Sequence, residues 1–91
     1  MDEVTVFRAL GHPIRLGIAT RLAHEGEICA CDFTAEFGVS QPTVSGHLRT
    51  LREAGVVRTR RRGTQVCYSL EPLAIRHAEA VLGGLVAAPT V

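Results

Sequence analysis

The 91-residue chain has no lysine, no membrane-length apolar run and no complete set of catalytic side chains. No stretch approaches the roughly 20 apolar residues of a transmembrane helix, and no charged-then-apolar signal opens the chain, so we expect a cytoplasmic protein without membrane contact. No nucleophile, base and orienting group occur together, and no glycine-rich phosphate loop is present, which argues against an enzyme. The 46% apolar fraction excludes disorder, and the length predicts one domain, residues 1–91, with one modest core.

Cysteine is also scarce, at three residues. An odd number of cysteines in a small chain that we expect to be cytoplasmic argues against a disulfide scaffold. Metal binding, redox sensing and burial as inert thiols therefore remain as the roles that these three side chains can have.

Positive charge is concentrated in one segment. Residues 49–62 carry six Arg and one Glu, a net charge of +5, while the rest of the chain carries four Arg and eight acidic residues, a net charge of −4. Because the whole chain has a net charge of only +1, this asymmetry predicts one phosphate-facing edge rather than a generally basic surface. Arginine suits such an edge, since it makes bidentate contacts with phosphate and guanine.

The segment from Gly38 to Val57 has the pattern of the second half of a helix-turn-helix. Gly38 ends one short helix, and the hydroxyl of Ser40 can cap the next. Apolar side chains then repeat at helical spacing and predict one buried stripe, formed by Val44, Leu48 and Leu51. The opposite face is mostly small or polar, as a helix in the major groove requires.

The remaining pattern predicts a mainly α winged helix-turn-helix with about five helices and a two-stranded β-wing. The predicted helices are 3–10, 13–25, 31–37, 41–55 and 72–87. The predicted wing covers 56–70, with strands 56–61 and 65–70 around a Gly63-Thr64 turn. The first and last helices carry apolar stripes that a chain of this size cannot easily bury alone, so we expect them to pair in a homodimer. The residues predicted at that interface are Val4, Phe7, Leu10, Ala78, Val81 and Leu82.

Three segments together resemble the ArsR/SmtB family of winged-helix, metal-sensing transcriptional repressors: FRALGHPIRLGI (7–18), GEICACDF (26–33) and VSQPTVSGHLRTLREAGVVRTRRRGTQVCYSL (39–70). The resemblance implies a homodimer on a palindromic double-stranded DNA operator, released when an inducer binds. The recognition helix is then the one predicted at about 41–55.

Contacts to DNA are expected from two places. Hydroxyls and amides at the start of the recognition helix can reach phosphates or base edges, and other polar side chains flank its outward face. These residues are Ser40, Gln41, Thr43, Ser45, His47 and Arg49. Three arginines at the hairpin tip should meet backbone phosphates. These residues are Arg60, Arg61 and Arg62.

The second candidate site is the Cys29-Ala30-Cys31 segment. Side chains two residues apart in an extended segment point the same way, so both sulfurs can reach one ion. The start of the following helix favours thiolates, and thiolates select soft ions. In the family, this pattern resembles the As(III) or Sb(III) inducer site, whose third cysteine corresponds to Thr34 here, and also part of a Cd, Pb or Zn site. Cys67 is a further candidate ligand if the hairpin or a second subunit comes near.

Two other functions remain open. A thiol redox or persulfide sensor would use Cys29 and Cys31 as a reactive pair. A winged-helix module that binds proteins instead of DNA would belong to another class, and the arginine-rich wing argues against it.

Overall fold

The computed structural model describes residues 2–33 and 37–86. In these ranges the chain forms four α-helices, three β-strands and one short 3₁₀ turn. The order is α1 (Glu3–Leu10), α2 (Pro13–Glu25), β1 (Ile28–Cys29), the 3₁₀ turn (Ala30–Asp32), α3 (Gln41–Glu53), β2 (Val57–Arg62), β3 (Gln65–Leu70) and α4 (Pro72–Val86). The predicted winged-helix class is confirmed, with α3 as the predicted recognition helix.

The helix boundaries follow from local chemistry. Nδ1 of His12 accepts a hydrogen bond from the Ile14 amide at 3.1 Å, and Pro13 lies in the first turn of α2, where its missing amide is not needed. Gly26 ends that helix with φ of +85°, a left-handed conformation that side chains other than glycine rarely adopt. The Ser40 hydroxyl accepts from the Thr43 amide at 3.4 Å, which confirms the predicted cap of α3.

One hydrophobic core joins all four helices to the sheet. The predicted stripe of α3 is fully buried in it, and Phe33, directly after the 3₁₀ turn, is among its largest buried side chains. Burial of these side chains supplies the main force that holds the helices together. The core residues are Val6, Ala9, Ile18, Leu22, Ile28, Phe33, Val44, Leu48, Leu51, Val56, Val57, Ala74 and Ala78.

The sheet differs from the prediction in one important respect. Strands β2 and β3 form the expected antiparallel hairpin, but the unpredicted strand β1 pairs with the other edge of β3, which gives the order β1-β3-β2. A strand of two residues has no periodicity that a sequence pattern can reveal. Its pairing places the Cys29 segment directly on the wing.

The predicted helix 31–37 is also corrected where the structure describes it. Ala30–Asp32 forms a 3₁₀ turn, and the α-helical pattern expected there is absent from residues 30–33. The rest of that predicted helix includes residues 34–36, which lie outside the described residues, as does residue 87 at the end of the last predicted helix. None of the helices in the described ranges has the length and apolarity to cross a bilayer.

Candidate nucleic-acid interface and cysteine cluster

The outer face of α3 is polar and open to solvent. Gln41, Thr43, Ser45 and Arg49 are all exposed, whereas the apolar stripe of the same helix is buried. A Cβ atom added at Gly46 would have nothing within 4 Å, so this face is also unobstructed at its middle. Such a surface can approach the edges of bases in a groove.

His47 occupies a different position from these residues. Its ring is half-buried, with its centroid 4.5 Å from that of His12, and its Nδ1 lies 3.3 Å from Nη1 of Arg15. Burial lowers the pKa of His47 below its ordinary value, and the nearby His12 and Arg15 lower it further. The His47 side chain therefore points toward α2, at the edge of the α3 surface that we predicted to contact DNA.

The side chain of Arg15 links three helices, a role that the sequence pattern did not predict. Its Nε donates to the Ala9 carbonyl at 2.6 Å, and its Nη2 lies 3.5 Å from the Arg8 carbonyl. Both carbonyls lie in the last turn of α1, where the usual helical donors run out, and the Arg8 carbonyl also accepts from the Gly11 amide at 3.2 Å. Together with the His47 contact, Arg15 ties α1, α2 and α3 to each other.

The wing arginines are divided between the two faces of the hairpin. Arg60 and Arg62 pair with Cys67 and Gln65 of β3, while Arg61 pairs with Val66, and neighbouring residues of a strand point to opposite faces. Arg60 and Arg62 both bind the carboxylate of Glu27, which directly precedes β1. The three arginines that we predicted as one group at the hairpin tip are therefore divided: Arg60 and Arg62 bind Glu27 on one face, and Arg61 lies on the other face.

The Glu27 carboxylate forms three hydrogen bonds with these two guanidinium groups. Arg60 is bidentate, through Nε to Oε2 at 3.1 Å and Nη2 to Oε1 at 3.0 Å, and Arg62 Nη1 lies 3.2 Å from Oε1. The hydrogen bond from Arg60 is the main cause that lowers the pKa of Glu27 below its ordinary value. The carboxylate of Glu27 is therefore ionised at neutral pH.

The cysteines are paired differently from the expectation. Cys29 lies directly opposite Cys67, with Cα atoms 3.8 Å apart, and the two form a disulfide. We expected no disulfide, and the correction follows from β1, since the pairing of this strand with β3 could not be inferred from the pattern. Cys67 is fully buried, whereas Cys31 is exposed with its Sγ 3.8 Å from Oδ1 of Asp32.

No preformed ion site accompanies this arrangement. Across residues 2–33 and 37–86, no three His, Cys, Asp or Glu side chains are gathered in a way that could hold a metal ion. With Cys29 and Cys67 bonded to each other, neither sulfur is available as a thiolate ligand. An ion could therefore use Cys29 only after this disulfide is reduced.

An apolar groove lies between α1 and α4. It is lined in part by Phe7, Leu10, Ile75 and Leu82, and its volume is about 680 Å³. Among the residues predicted at a dimer interface, Val4 and Leu82 are more than half exposed, whereas Ala78 is already buried in the core of the single chain.

Comparison with known proteins agrees with this architecture. Residues 12–59, which are 48 of the 91, match the model of the bacterial regulatory protein, arsR family. The arsenic resistance transcriptional regulator ArsR1 of Pseudomonas putida is 41% identical over 81 residues, which are 89% of this chain and 63% of that relative. The chain thus spans less than two thirds of the length of this relative.

Two solved structures share the fold over nearly the whole chain. A crystal structure described as a possible transcriptional regulator for arsenical resistance has a TM-score of 0.79 at 28% identity. The superposition covers 100% of this chain and 99% of the other chain. The homodimeric winged helix-turn-helix DNA-binding domain of a possible ArsR-family regulator from Mycobacterium bovis has a TM-score of 0.73 at 27% identity, with 96% and 81% covered. The family match, the relative and the winged-helix geometry together identify the chain as a member of the bacterial ArsR family of regulatory proteins.

Proposed function

We propose that this chain is a cytoplasmic DNA-binding transcriptional repressor that a thiophilic metalloid releases from its operator. The observation that carries the DNA-binding part is the exposed polar face of α3 beside an arginine-rich wing. The residues proposed to contact DNA form two groups. The first comprises the cap and the surface residues of α3, which are Ser40, Gln41, Thr43, Ser45, His47 and Arg49. The second comprises the wing residues Arg60, Arg61 and Arg62. The α3 residues contribute to base readout, and the wing contributes phosphate contacts.

The proposed working form is a homodimer on a palindromic operator. The apolar groove between α1 and α4, and the exposed side chains of Val4 and Leu82 beside it, support this part of the proposal. The similar domain from Mycobacterium bovis is described as homodimeric. A two-fold dimer presents one recognition helix to each half-site, about one helical turn of DNA apart.

The proposed inducer is As(III) or Sb(III), held by Cys29 and Cys31 in the reduced protein. Thiolates are the donors that soft ions prefer, and the exposed position of Cys31 gives an ion access to this segment. Cys67, directly opposite Cys29, is the third candidate sulfur. Cadmium, lead and zinc remain alternative inducers, although a tetrahedral zinc site needs more ligands than this set supplies.

Thiol redox sensing is the second candidate mechanism, and the Cys29–Cys67 disulfide is the observation that favours it. Two thiols would lose two protons and two electrons to a small disulfide such as oxidised glutathione, which is reduced to two thiols. The reactive pair would then be Cys29 and Cys67, and Cys31 would take no part.

Single cysteine substitutions separate the two mechanisms. Cys31→Ser should strongly weaken arsenite-driven release of DNA and leave any response to oxidised glutathione intact. Cys67→Ser should remove the response to oxidised glutathione and retain most of the arsenite response, because Cys29 and Cys31, the two proposed ligands, both remain. DNA retention is read from the fluorescence anisotropy of a labelled duplex, with reductant present for the arsenite series. Loss of the arsenite response in Cys67→Ser but not in Cys31→Ser would contradict the proposed inducer site.

The DNA-binding part has its own test. The dimer should select, from a random pool of duplexes, sequences with two inverted half-sites whose centres are about 10 base pairs apart. Failure to retain any duplex at low salt would instead favour the winged-helix module that binds proteins.

A further inference from the structure

We infer that Glu27 acts as an internal competitor of DNA phosphate for the wing guanidinium groups of Arg60 and Arg62. This inference rests on the proposed DNA-binding function and concerns how many cations the wing presents to DNA. Its basis is a carboxylate that occupies both arginines at once, through three hydrogen bonds of 3.0 to 3.2 Å.

The chemistry of the competition is direct. A carboxylate and a phosphate bind the planar guanidinium fork in the same way, through paired oxygens on adjacent N–H groups. Arg60, Arg62 and Glu27 together carry a net charge of only +1, so the carboxylate offsets one of the two cations that this face of the wing could present to DNA phosphate. Arg60 and Arg62 still have 63% and 61% of their side chains exposed, which leaves them able to exchange one acceptor for another.

The position of Glu27 gives this competition a regulatory consequence. Only Ile28 separates Glu27 from Cys29, and both Ile28 and Cys29 pair with β3. The carboxylate reaches across the sheet from this segment to two arginines of β2. The number of wing cations offered to DNA therefore depends on the short segment that also carries a candidate sensing cysteine.

The test compares two variants that make the same change in charge. Glu27→Gln removes the competing carboxylate while it keeps the shape of the side chain. Glu25→Gln is the matched control, because Glu25 lies two residues earlier and its carboxylate pairs with Arg21 of α2. Binding of each reduced variant to a 30-base-pair duplex of random sequence is measured across a series of salt concentrations, with circular dichroism as the check on folding.

We expect Glu27→Gln to bind DNA more tightly than Glu25→Gln at low salt and to have a steeper salt dependence. Loss of this one compensating charge would steepen the slope of log K against log salt by about 0.9, the value for one phosphate contact, so that an increase from 50 to 200 mM salt costs roughly three- to four-fold more affinity than in the control. Equal slopes for the two variants, or weaker binding by Glu27→Gln, would overturn the inference.

A second set of variants shows whether the effect passes through the two arginines. In a chain that already carries Arg60→Gln and Arg62→Gln, the further change Glu27→Gln should leave the slope unaltered. A slope that still steepens in this background would contradict the inference, because the charge of Glu27 would then act at long range. Absence of DNA binding by the wild-type chain would contradict the proposed function itself, which is a separate outcome.

Discussion

The two surfaces proposed to meet DNA are constructed in different ways. Helix α3 is organised locally: its cap, buried stripe and exposed polar face all lie within Ser40 to Glu53. The wing depends on distant parts of the chain, because Glu27 binds two of its arginines and Cys29 is bonded to Cys67 of its second strand, β3. This difference indicates that α3 can present the same surface to the bases whatever the rest of the chain does. The charge and position of the wing, in contrast, can be changed by other segments.

The largest expected effect concerns the inner face of α3. Leu48 is fully buried, so Leu48→Ala should lower the free energy of unfolding by about 2–5 kcal/mol, through lost burial and the cavity left behind. The matched change on the outer face, Ser45→Ala, should alter it by no more than about 0.5 kcal/mol. Urea denaturation measures both values. Similar losses for the two variants would mean that the outer face is also structural.

The next effect concerns the attachment of the wing. The Cys29–Cys67 bond closes a loop with a sequence separation of 38 residues. Its reduction should therefore lower the free energy of unfolding by about 2–4 kcal/mol, mainly because the unfolded chain gains freedom. Urea denaturation with and without reductant gives the difference. Cys31→Ser should keep that difference, and Cys67→Ser should abolish it. Any other pattern would mean that the disulfide joins a different pair of cysteines.

A smaller effect separates the arginines of the wing. Arg61 lies on the face opposite Glu27, whereas Arg62 is bound to that carboxylate. Arg61→Ala should reduce the salt slope of DNA binding by about 0.9, the value for one phosphate contact, and Arg62→Ala should reduce it by less. Fluorescence anisotropy across a salt series measures both slopes. A larger reduction for Arg62→Ala would show that Glu27 does not restrain that arginine on DNA.

The smallest effect concerns pH. Because the pKa of His47 is lowered in the folded protein, the unfolded chain takes up this proton first as the pH falls below about 6.5. The contribution of His47 to stability is therefore complete above that pH and decreases as the pH falls toward the lower folded pKa. His47→Gln should flatten the decrease of stability in this window, as measured by thermal denaturation. A decrease of the same steepness in His47→Gln would contradict this assignment.

The sequence was informative where the structure is local. The spacing of Val44, Leu48 and Leu51 and the cap at Ser40 were sufficient to predict α3, because a helix is organised by contacts three and four residues apart. Contacts between distant segments were not predictable. Strand β1 has only two residues, and Glu27 lies 33 residues from Arg60, so no periodic pattern links either one to the wing. The disulfide was missed for the same reason, since it depends on the register of β1.

In the proposed mechanism, an ion at the cysteine segment lowers the affinity of the chain for DNA. The direct test adds arsenite to the reduced dimer on a duplex that it has selected, and records sulfur-to-arsenic absorption and anisotropy in the same sample. We expect both signals to change together and to saturate at one arsenic per chain, and we expect Cys29→Ser/Cys31→Ser to show neither change while it still binds the duplex. A full absorption change with the duplex still bound would contradict this mechanism, because the ion would then occupy its site without an effect on DNA.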